Sequence, residues 1–289
     1  MSKSVKYAAI AASLLLAGPA FAAWTLNMTT GITPVSREAH NLHMLIFWIC
    51  VVIAVIVFGA MIYSIVKFRK STGAVPDTTM LHSTKAEIIW TAIPIVILVV
   101  MAIPAADQLV RIEDTSKSDM TIKVTGYQWK WQYEYLDSNV SFFSTLSRDS
   151  NAARQLNSGI DPFTVKDYLL DVDHPLVVPV GKKVRVLLTA SDVIHAWWVP
   201  ALGMKKDAIP GFVNELWFRA EETGVYRGQC AELCGRDHGF MPVVVDVKTQ
   251  ADYDAWIKAQ QGEKPAVAQA TDSSPALANQ AATTVAKAE

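Results

Sequence analysis

Two long runs without a charged residue, Leu45 to Val66 and Ile88 to Ala106, limit what this chain can fold into more than any other feature. At about 1.5 Å per residue, the first is long enough to cross a hydrocarbon core of about 30 Å, and the second has the same character. Pro94 and Pro104 fall within the second run, and a spanning helix tolerates them where a neighbour or a local adjustment covers the freed carbonyls. Two spans make a hairpin, with helices expected over about 41–67 and 86–107.

The direction of the hairpin follows from its flanks. The link from Lys67 to Lys85 carries Lys67, Arg69, Lys70 and Lys85 against Asp77, whereas Ala23 to His40 holds a single basic residue, Arg37. Basic loops stay in the cytoplasm, so the mature N-terminus and everything after about Asp107 face outward. Residues 1–23 read as a signal peptide, with Lys3 and Lys6, an apolar stretch from Ala8 to Ala17, and the small-residue site Ala20-Phe21-Ala22. The 51% apolar content and positive mean hydropathy agree with a chain lying partly in lipid. A net charge of -1, without a basic patch interleaved with aromatics, gives nucleic acid nothing to bind.

Residues 24–118 therefore form an N-terminal segment and the hairpin, and 119–261 an exported domain. Short alternating or β-branched runs fill the latter: Thr121 to Thr125, Tyr127 to Leu136, Lys183 to Ala190, Val213 to Arg219 and Pro242 to Val247. Turn signals at Pro179-Val180-Gly181 and Pro210-Gly211 separate them, which indicates a β-sandwich or barrel. The stretch from about Asn139 to Asp167 reads as a long loop or small insertion. A helix follows the strands, because Thr249 and Asp252 form a capping-box-like start and Tyr253, Trp256 and Ile257 share one face. Residues 262–289, rich in Ala, Gln, Thr and Ser, lack the large apolar groups of a packed core and read as a disordered tail.

The chemistry concentrates in Gln229-Cys230-Ala231-Glu232-Leu233-Cys234-Gly235-Arg236-Asp237-His238-Gly239-Phe240-Met241, which brings together two thiols, an imidazole and a thioether. His195 lies upstream, after the strand ending near Ala190. A single-copper electron-transfer site uses two His, one Cys and a weak Met. This chain has one thiolate more than that. Two cysteines four apart can bridge two coppers, with a His ending each side, Met241 as a weak ligand, and a backbone carbonyl as the sixth donor, for which Glu232 is placed. Three other readings stand beside it: a structural Cys230–Cys234 disulfide in an oxidising compartment, a closed zinc site, and a core histidine at 195. The zinc site leaves Met241 without a role.

The chain resembles subunit II of the haem-copper cytochrome c oxidases, which carry a dinuclear copper A (CuA) centre. The resemblance rests on Glu87-Ile88-Ile89-Trp90-Thr91, the run from Gly126 to Tyr135, His195-Ala196-Trp197, Asp207-Ala208-Ile209-Pro210-Gly211, and the cysteine loop. It implies a cupredoxin-like sandwich after the hairpin, and copper ligands at His195, Cys230, Glu232, Cys234, His238 and Met241. It further implies that Trp129 is the port at which an electron arrives from cytochrome c, and that Glu134, Asp173 and Asp192 attract that donor's lysines. The Glu232 carboxylate is implied to reach magnesium shared with subunit I. Glu87 is implied to mark the mouth of a proton pathway into subunit I. Haem and CuB belong to that subunit, where oxygen is reduced to water and protons are pumped. The implied location is the bacterial inner membrane, with the C-terminal domain periplasmic. Quinol-oxidase relatives lack the copper ligands, nitrous oxide reductase lacks the hairpin, and a copper chaperone has no use for the aromatic run. No Cys-x-x-Cys-His is present for covalent haem. Two departures, Ser191 where an acid is frequent and Phe212 where a base is frequent, imply a weaker or shifted docking patch.

Overall fold

The computed structural model describes residues 27–75, 78–79 and 82–262. The expected signal peptide and the tail beyond Gly262 lie outside them. Helix α1 runs from Pro34 to Lys67 and α2 from Thr84 to Glu113, so both extend past the apolar runs that announce them. Thr33 starts α1 through a capping box with Ser36, its hydroxyl accepting from the Ser36 amide at 2.9 Å while the Ser36 hydroxyl accepts from the Thr33 amide at 3.0 Å. The middle of each helix presents large apolar side chains outward, among them Trp48, Ile56, Trp90 and Ile103. In water such a surface is untenable, and in lipid it is what a spanning helix requires.

Among the described residues ten strands follow: β1 (Met120–Tyr127), β2 (Lys130–Tyr135), β3 (Val140–Ser144), β4 (Leu176–Pro179), β5 (Val184–Ala190), β6 (His195–Val199), β7 (Met204–Ala208), β8 (Asn214–Phe218), β9 (Gly224–Cys230) and β10 (Pro242–Lys248). They form two five-stranded sheets, in the orders β3-β2-β1-β5-β8 and β4-β10-β9-β6-β7. The pairs β1–β5 and β4–β10 are parallel and the remainder antiparallel. The hairpin and β-sandwich expected from the sequence are both present.

Alternation explains why the sheets face each other. In β2 the inward set is Trp131, Tyr133 and Tyr135, with Lys130, Gln132 and Glu134 outside, and in β5 it is Val184, Val186, Leu188 and Ala190. Burying each of the large aliphatic chains contributes about 1.5–3 kcal/mol. Trp197 of β6 and Phe218 of β8 stack across the core at 6.1 Å. Helix α4 (Gln250–Gly262) closes one side, laying Tyr253, Trp256 and Ile257 on that core behind the Thr249–Asp252 cap.

The stretch read as an irregular loop from Asn139 to Asp167 contains β3 and a short helix, α3 (Arg148–Ala153). Its polar composition hides these elements because β3 has only Val140 and Ser144 fully buried, and α3 buries only Ser150 and Ala153. His195, which the sequence places only after the strand ending near Ala190, is the first residue of β6. That strand is covered on both faces at all positions but one, so it carries no alternating signature.

Candidate metal centre

Register decides which side chains meet. Strand β6 runs antiparallel to β9 with Trp197 opposite Cys230, and the Ala231 amide donates to the Ala196 carbonyl at 3.0 Å. His195 shares Trp197's inward face, so it projects beside the segment that follows Cys230. Strand β10 returns beside β9 with Pro242 opposite Gln229, which pins both ends of the loop 231–241. Cys234, His238 and Met241 are thereby folded back over Cys230.

The donor atoms converge. Cys230 Sγ and Cys234 Sγ are 3.8 Å apart and unbridged, too far for a disulfide of about 2.05 Å. His195 Nδ1 lies 3.9 Å from Cys230 Sγ, and His238 Nδ1 lies 3.5 Å from Cys234 Sγ. Met241 Sδ is 3.5 Å from Cys234 Sγ, and the Glu232 carbonyl oxygen is 3.4 Å from Cys230 Sγ. His195 and Met241 are at most 1% exposed, and both cysteines are buried. The ligand atoms of His195, Cys230 and Cys234 lie within 4.8 Å of one another. Two soft thiolates, two imidazoles and a thioether suit copper in both of its oxidation states.

Neighbours fix the protons and orientations. His195 Nε2 meets Asp192 Oδ1 at 2.9 Å, which leaves Nδ1 facing the sulfurs. Burial pulls His195 toward neutrality, but its hydrogen bonds to Cys230 and Asp192 outweigh that and hold its pKa above the ordinary range. Burial works against ionised Asp192 too, yet the bonds from His195 and from the Gln128 and Val193 amides hold it below the usual carboxylate range. For the thiols, burial pushes Cys234 up and the adjacent Cys230 sulfur adds to this. Cys230 moves down despite burial, because His195 and the backbone at Ala196 and Glu232 favour its thiolate.

Comparisons with known proteins give the family. Residues 120–248 match the family model of the periplasmic domain of cytochrome C oxidase subunit II, and residues 22–107 match that of its transmembrane domain. A probable cytochrome c oxidase subunit 2 of Rickettsia bellii is 41% identical over 238 residues, covering 82% of this chain and 84% of the relative. This chain belongs to the cytochrome c oxidase subunit II family. The subunit 2 of Cereibacter sphaeroides is 38% identical over 238 residues, covering 80% and 78%. The crystal structure of the periplasmic domain of subunit II of the cytochrome oxidase of Bradyrhizobium japonicum has 42% identity and a TM-score of 0.45, covering 51% of this chain and 97% of that one. As a member of the subunit II family, the chain is a membrane-anchored part of a haem-copper respiratory oxidase, and the role expected of it is to take in electrons at copper.

Within this subunit II fold, Trp129 is half-buried, and its Nε1–H donates to the Cys234 carbonyl at 3.2 Å. Glu134 is not beside it: it lies near the far end of β2, paired with Lys123 at 2.7 Å. Asp173 receives the Thr145 amide and hydroxyl, both at 2.7 Å, and approaches His174. Asp192 is occupied by His195, Gln128 and Val193. The Glu232 carboxylate is exposed. Glu87 sits in the first turn of α2, where its Oε1 accepts from the Ser83 amide at 3.2 Å.

Three participants escaped sequence reasoning. Gln128 Nε2 donates to the Cys234 carbonyl at 2.9 Å, beside the Trp129 bond. Trp131 Nε1 donates to the Met241 carbonyl at 3.3 Å and its ring meets His195 edge-on at 5.9 Å. Gly126 leaves room for His195: a Cβ there lies 2.8 Å from His195 Cδ2. All three belong to the run Gly126 to Tyr135, whose density of aromatic and amide groups was the available signal.

Proposed function

We propose that this chain holds a dinuclear copper centre through His195, Cys230, the Glu232 carbonyl, Cys234, His238 and Met241, and that it accepts electrons there from cytochrome c on behalf of subunit I. The observation that carries this reading is the convergence of six soft and backbone donors on one buried point, with one thiolate more than a single copper uses. When bound, the copper pair supplies one-electron redox chemistry. The remaining work belongs to the protein. Asp192 fixes the ring of His195, Gln128 and Trp129 hold the Cys234 carbonyl, and burial keeps water from the sulfurs.

Trp129 is the electron port in this reading, since its ring is partly open to solvent and its nitrogen touches the carbonyl of Cys234. The donor is a cytochrome c, with Glu134, Asp173 and Asp192 contributing field more than contact, because each already has a partner in the chain. The exposed Glu232 carboxylate supports a magnesium site shared with subunit I. Glu87, half-buried at the cytoplasmic start of α2, supports proton uptake into subunit I. The haem and CuB that reduce oxygen lie in subunit I. The domain divisions are the hairpin segment 24–118 and the copper domain 119–261, anchored in a bacterial inner membrane with the copper domain in the periplasm.

The test is electron paramagnetic resonance of the detergent-purified full chain loaded with copper. One unpaired electron shared by two copper nuclei is the expected pattern. A four-line single-copper spectrum, or tight zinc binding without copper uptake, overturns the proposal.

A further inference from the structure

Apart from Asp173, the segment between β3 and β4 has no part in the function so far, yet it touches the copper loop and the strand that leads into it. At its centre α3 ends on Arg154, whose guanidinium lies 4.3 Å over the Phe240 ring and 3.5 Å from Asp237 Oδ2. Asn151 Oδ1 accepts from Arg154 Nε at 2.7 Å and holds the arm in that direction. Asp237 and Phe240 bracket His238, which approaches Cys234 at 3.5 Å. On the other side Arg227 of β9, three positions before Cys230, pairs with Asp167 at 2.7 Å and Asp171 at 2.8 Å and reaches the Leu170 carbonyl at 3.3 Å. The segment is in turn folded on itself between its two strands. Asp173 takes the Thr145 amide and hydroxyl, Leu146 bridges Val172, and the Leu169 amide donates to the Ser150 hydroxyl at 3.1 Å.

Among the described residues no other hydrogen bond or ion pair joins α3 to the copper loop. A cavity of about 180 Å³, lined by Trp129, Leu146, Arg154, Asp237 and Phe240, separates them. Arg154 crosses that gap by a cation–π contact and an ion pair at once, which a planar guanidinium does and an ammonium does only in part. The Arg154 and Asp237 side chains are 23% and 17% exposed, so water screens the pair less than it screens an open surface pair.

We infer that the segment between β3 and β4 is a brace for the metal centre, and that Arg154 is a positioning residue that holds His238 in place by gripping Asp237 and Phe240. The inference rests on the copper reading above. Arg227 is the second strap, and it steadies the approach of β9 to Cys230. A ligand loop without the brace retains its stem at Gln229 and Pro242 but loses Arg154's contacts on both flanks of His238, leaving Asp237 the exposed Arg236 at 3.5 Å. The metal then leaves more readily, while the sandwich, whose core does not include Arg154, stays folded.

The test uses the full chain in detergent, as wild type, Arg154→Ala, Arg154→Lys and Asp237→Asn. Three quantities are read: the rate of copper transfer to a chelator, the copper spectrum, and amide hydrogen exchange of residues 236–240 in the copper-free form. The wild type must first show the two-copper signature; if it does not, the copper reading and this inference fall together. Given that signature, Arg154→Ala and Asp237→Asn are expected to lose copper about tenfold faster. They should also exchange faster at 236–240, with an altered spectrum and a thermal midpoint close to wild type. Arg154→Lys, which keeps the charge, is expected to lie between. Copper loss within twofold of wild type in Arg154→Ala and Asp237→Asn overturns the brace and leaves the copper reading standing. Faster loss accompanied by a collapse of the thermal midpoint in both variants also overturns it, since the effect is then global unfolding.

Discussion

Replacing Gly126 by alanine offers the sharpest trial of how the centre is held. A Cβ at this position lies 2.8 Å from His195 Cδ2 and 3.1 Å from Cγ. Carbon atoms settle at about 3.5–4.0 Å, so the imidazole has to withdraw by at least about 0.7 Å. It cannot withdraw freely, because Asp192 holds Nε2 at 2.9 Å and Trp131 flanks the ring at 5.9 Å. Overpacking of this kind costs about 1–3 kcal/mol. At about 2–4 °C per kcal/mol for a domain of this size, the midpoint of unfolding should fall by about 2–12 °C. The larger consequence is for the metal, since ligand distances are held to within about 0.2 Å and the shift exceeds that several times. Copper affinity of the detergent-purified chain, measured by competition with a chelator, should drop by about 10–100-fold, with a changed visible and paramagnetic spectrum. A variant with wild-type affinity and an unchanged spectrum would refute the reasoning, and with it the claim that Gly126 is present to admit His195.

Three further outcomes follow from the structure. Trp129→Phe removes the hydrogen bond to the Cys234 carbonyl but keeps an aromatic ring, so stability should fall by about 0.5–1.5 kcal/mol and the copper spectrum persist. Stopped-flow reduction by ferrous cytochrome c should be slower, and an unchanged rate removes Trp129 from the role of port. Copper uptake should strengthen as pH rises, because His195 and Cys234 are held above their ordinary pKa values and must shed protons to bind. In the copper-free chain the signs separate. The raised pKa of His195 contributes stability that is complete below the ordinary imidazole range and is lost as pH rises through the raised value. The depressed pKa values of Asp192 and Glu215 contribute stability that is present above the ordinary carboxylate range and is lost as pH falls through their folded-state values. Thermal midpoints across that range should therefore decline at both ends, and a midpoint insensitive to acid contradicts the assignment.

What the sequence disclosed and what it hid divide along physical lines. The apolar runs of the hairpin, the alternation of β2 and β5, the β-branched run of β10, and the Thr249 cap of α4 each impose a local pattern that needs no partner to be recognised. Strands β4, β6, β7 and β9 were not read. All four residues of β4 are buried, β7 is Met-Lys-Lys-Asp-Ala with only its ends inward, and β9 interrupts its pattern with Gly228. Lysines on an edge strand such as β7 blunt further pairing, and they also erase the strand's apolar signature. Five of the six donors were named because their side chains are chemically rare, and the Glu232 carbonyl because it lies between the two cysteines. Their supports Gln128, Gly126 and Arg154 were not, because an amide, a glycine and a guanidinium acquire those roles only when a distant segment is folded against them. The acids Glu134, Asp173 and Asp192 mark the limit of motif matching, since each has a structural partner that sequence position alone does not reveal.

Anchoring and chemistry meet in one short strand. His195 opens β6, and beyond its other end, roughly 13 Å away at about 3.3 Å per residue, the chain enters the turn at Pro200–Leu202. There the Ile32 amide donates to the Ala201 carbonyl at 2.9 Å and the Thr33 hydroxyl to the Leu202 carbonyl at 2.9 Å, just before α1 begins. Arg37, in the first turns of α1, pairs with Glu221. The end of α2 is tied as firmly. Trp217 Nε1 donates to the Arg111 carbonyl at 3.2 Å, Lys206 pairs with Glu113 at 3.0 Å, and Lys183 Nζ caps the Asp114 and Ser116 carbonyls at 2.8 and 2.6 Å. A domain on a slack tether would sample many distances to the membrane, and a relay that hands electrons to a partner embedded there has use for only one. The capping box at Thr33 and the buried Lys183 remove that slack at both helices, so the same sandwich that gathers the proposed copper ligands also fixes how far they stand from the bilayer.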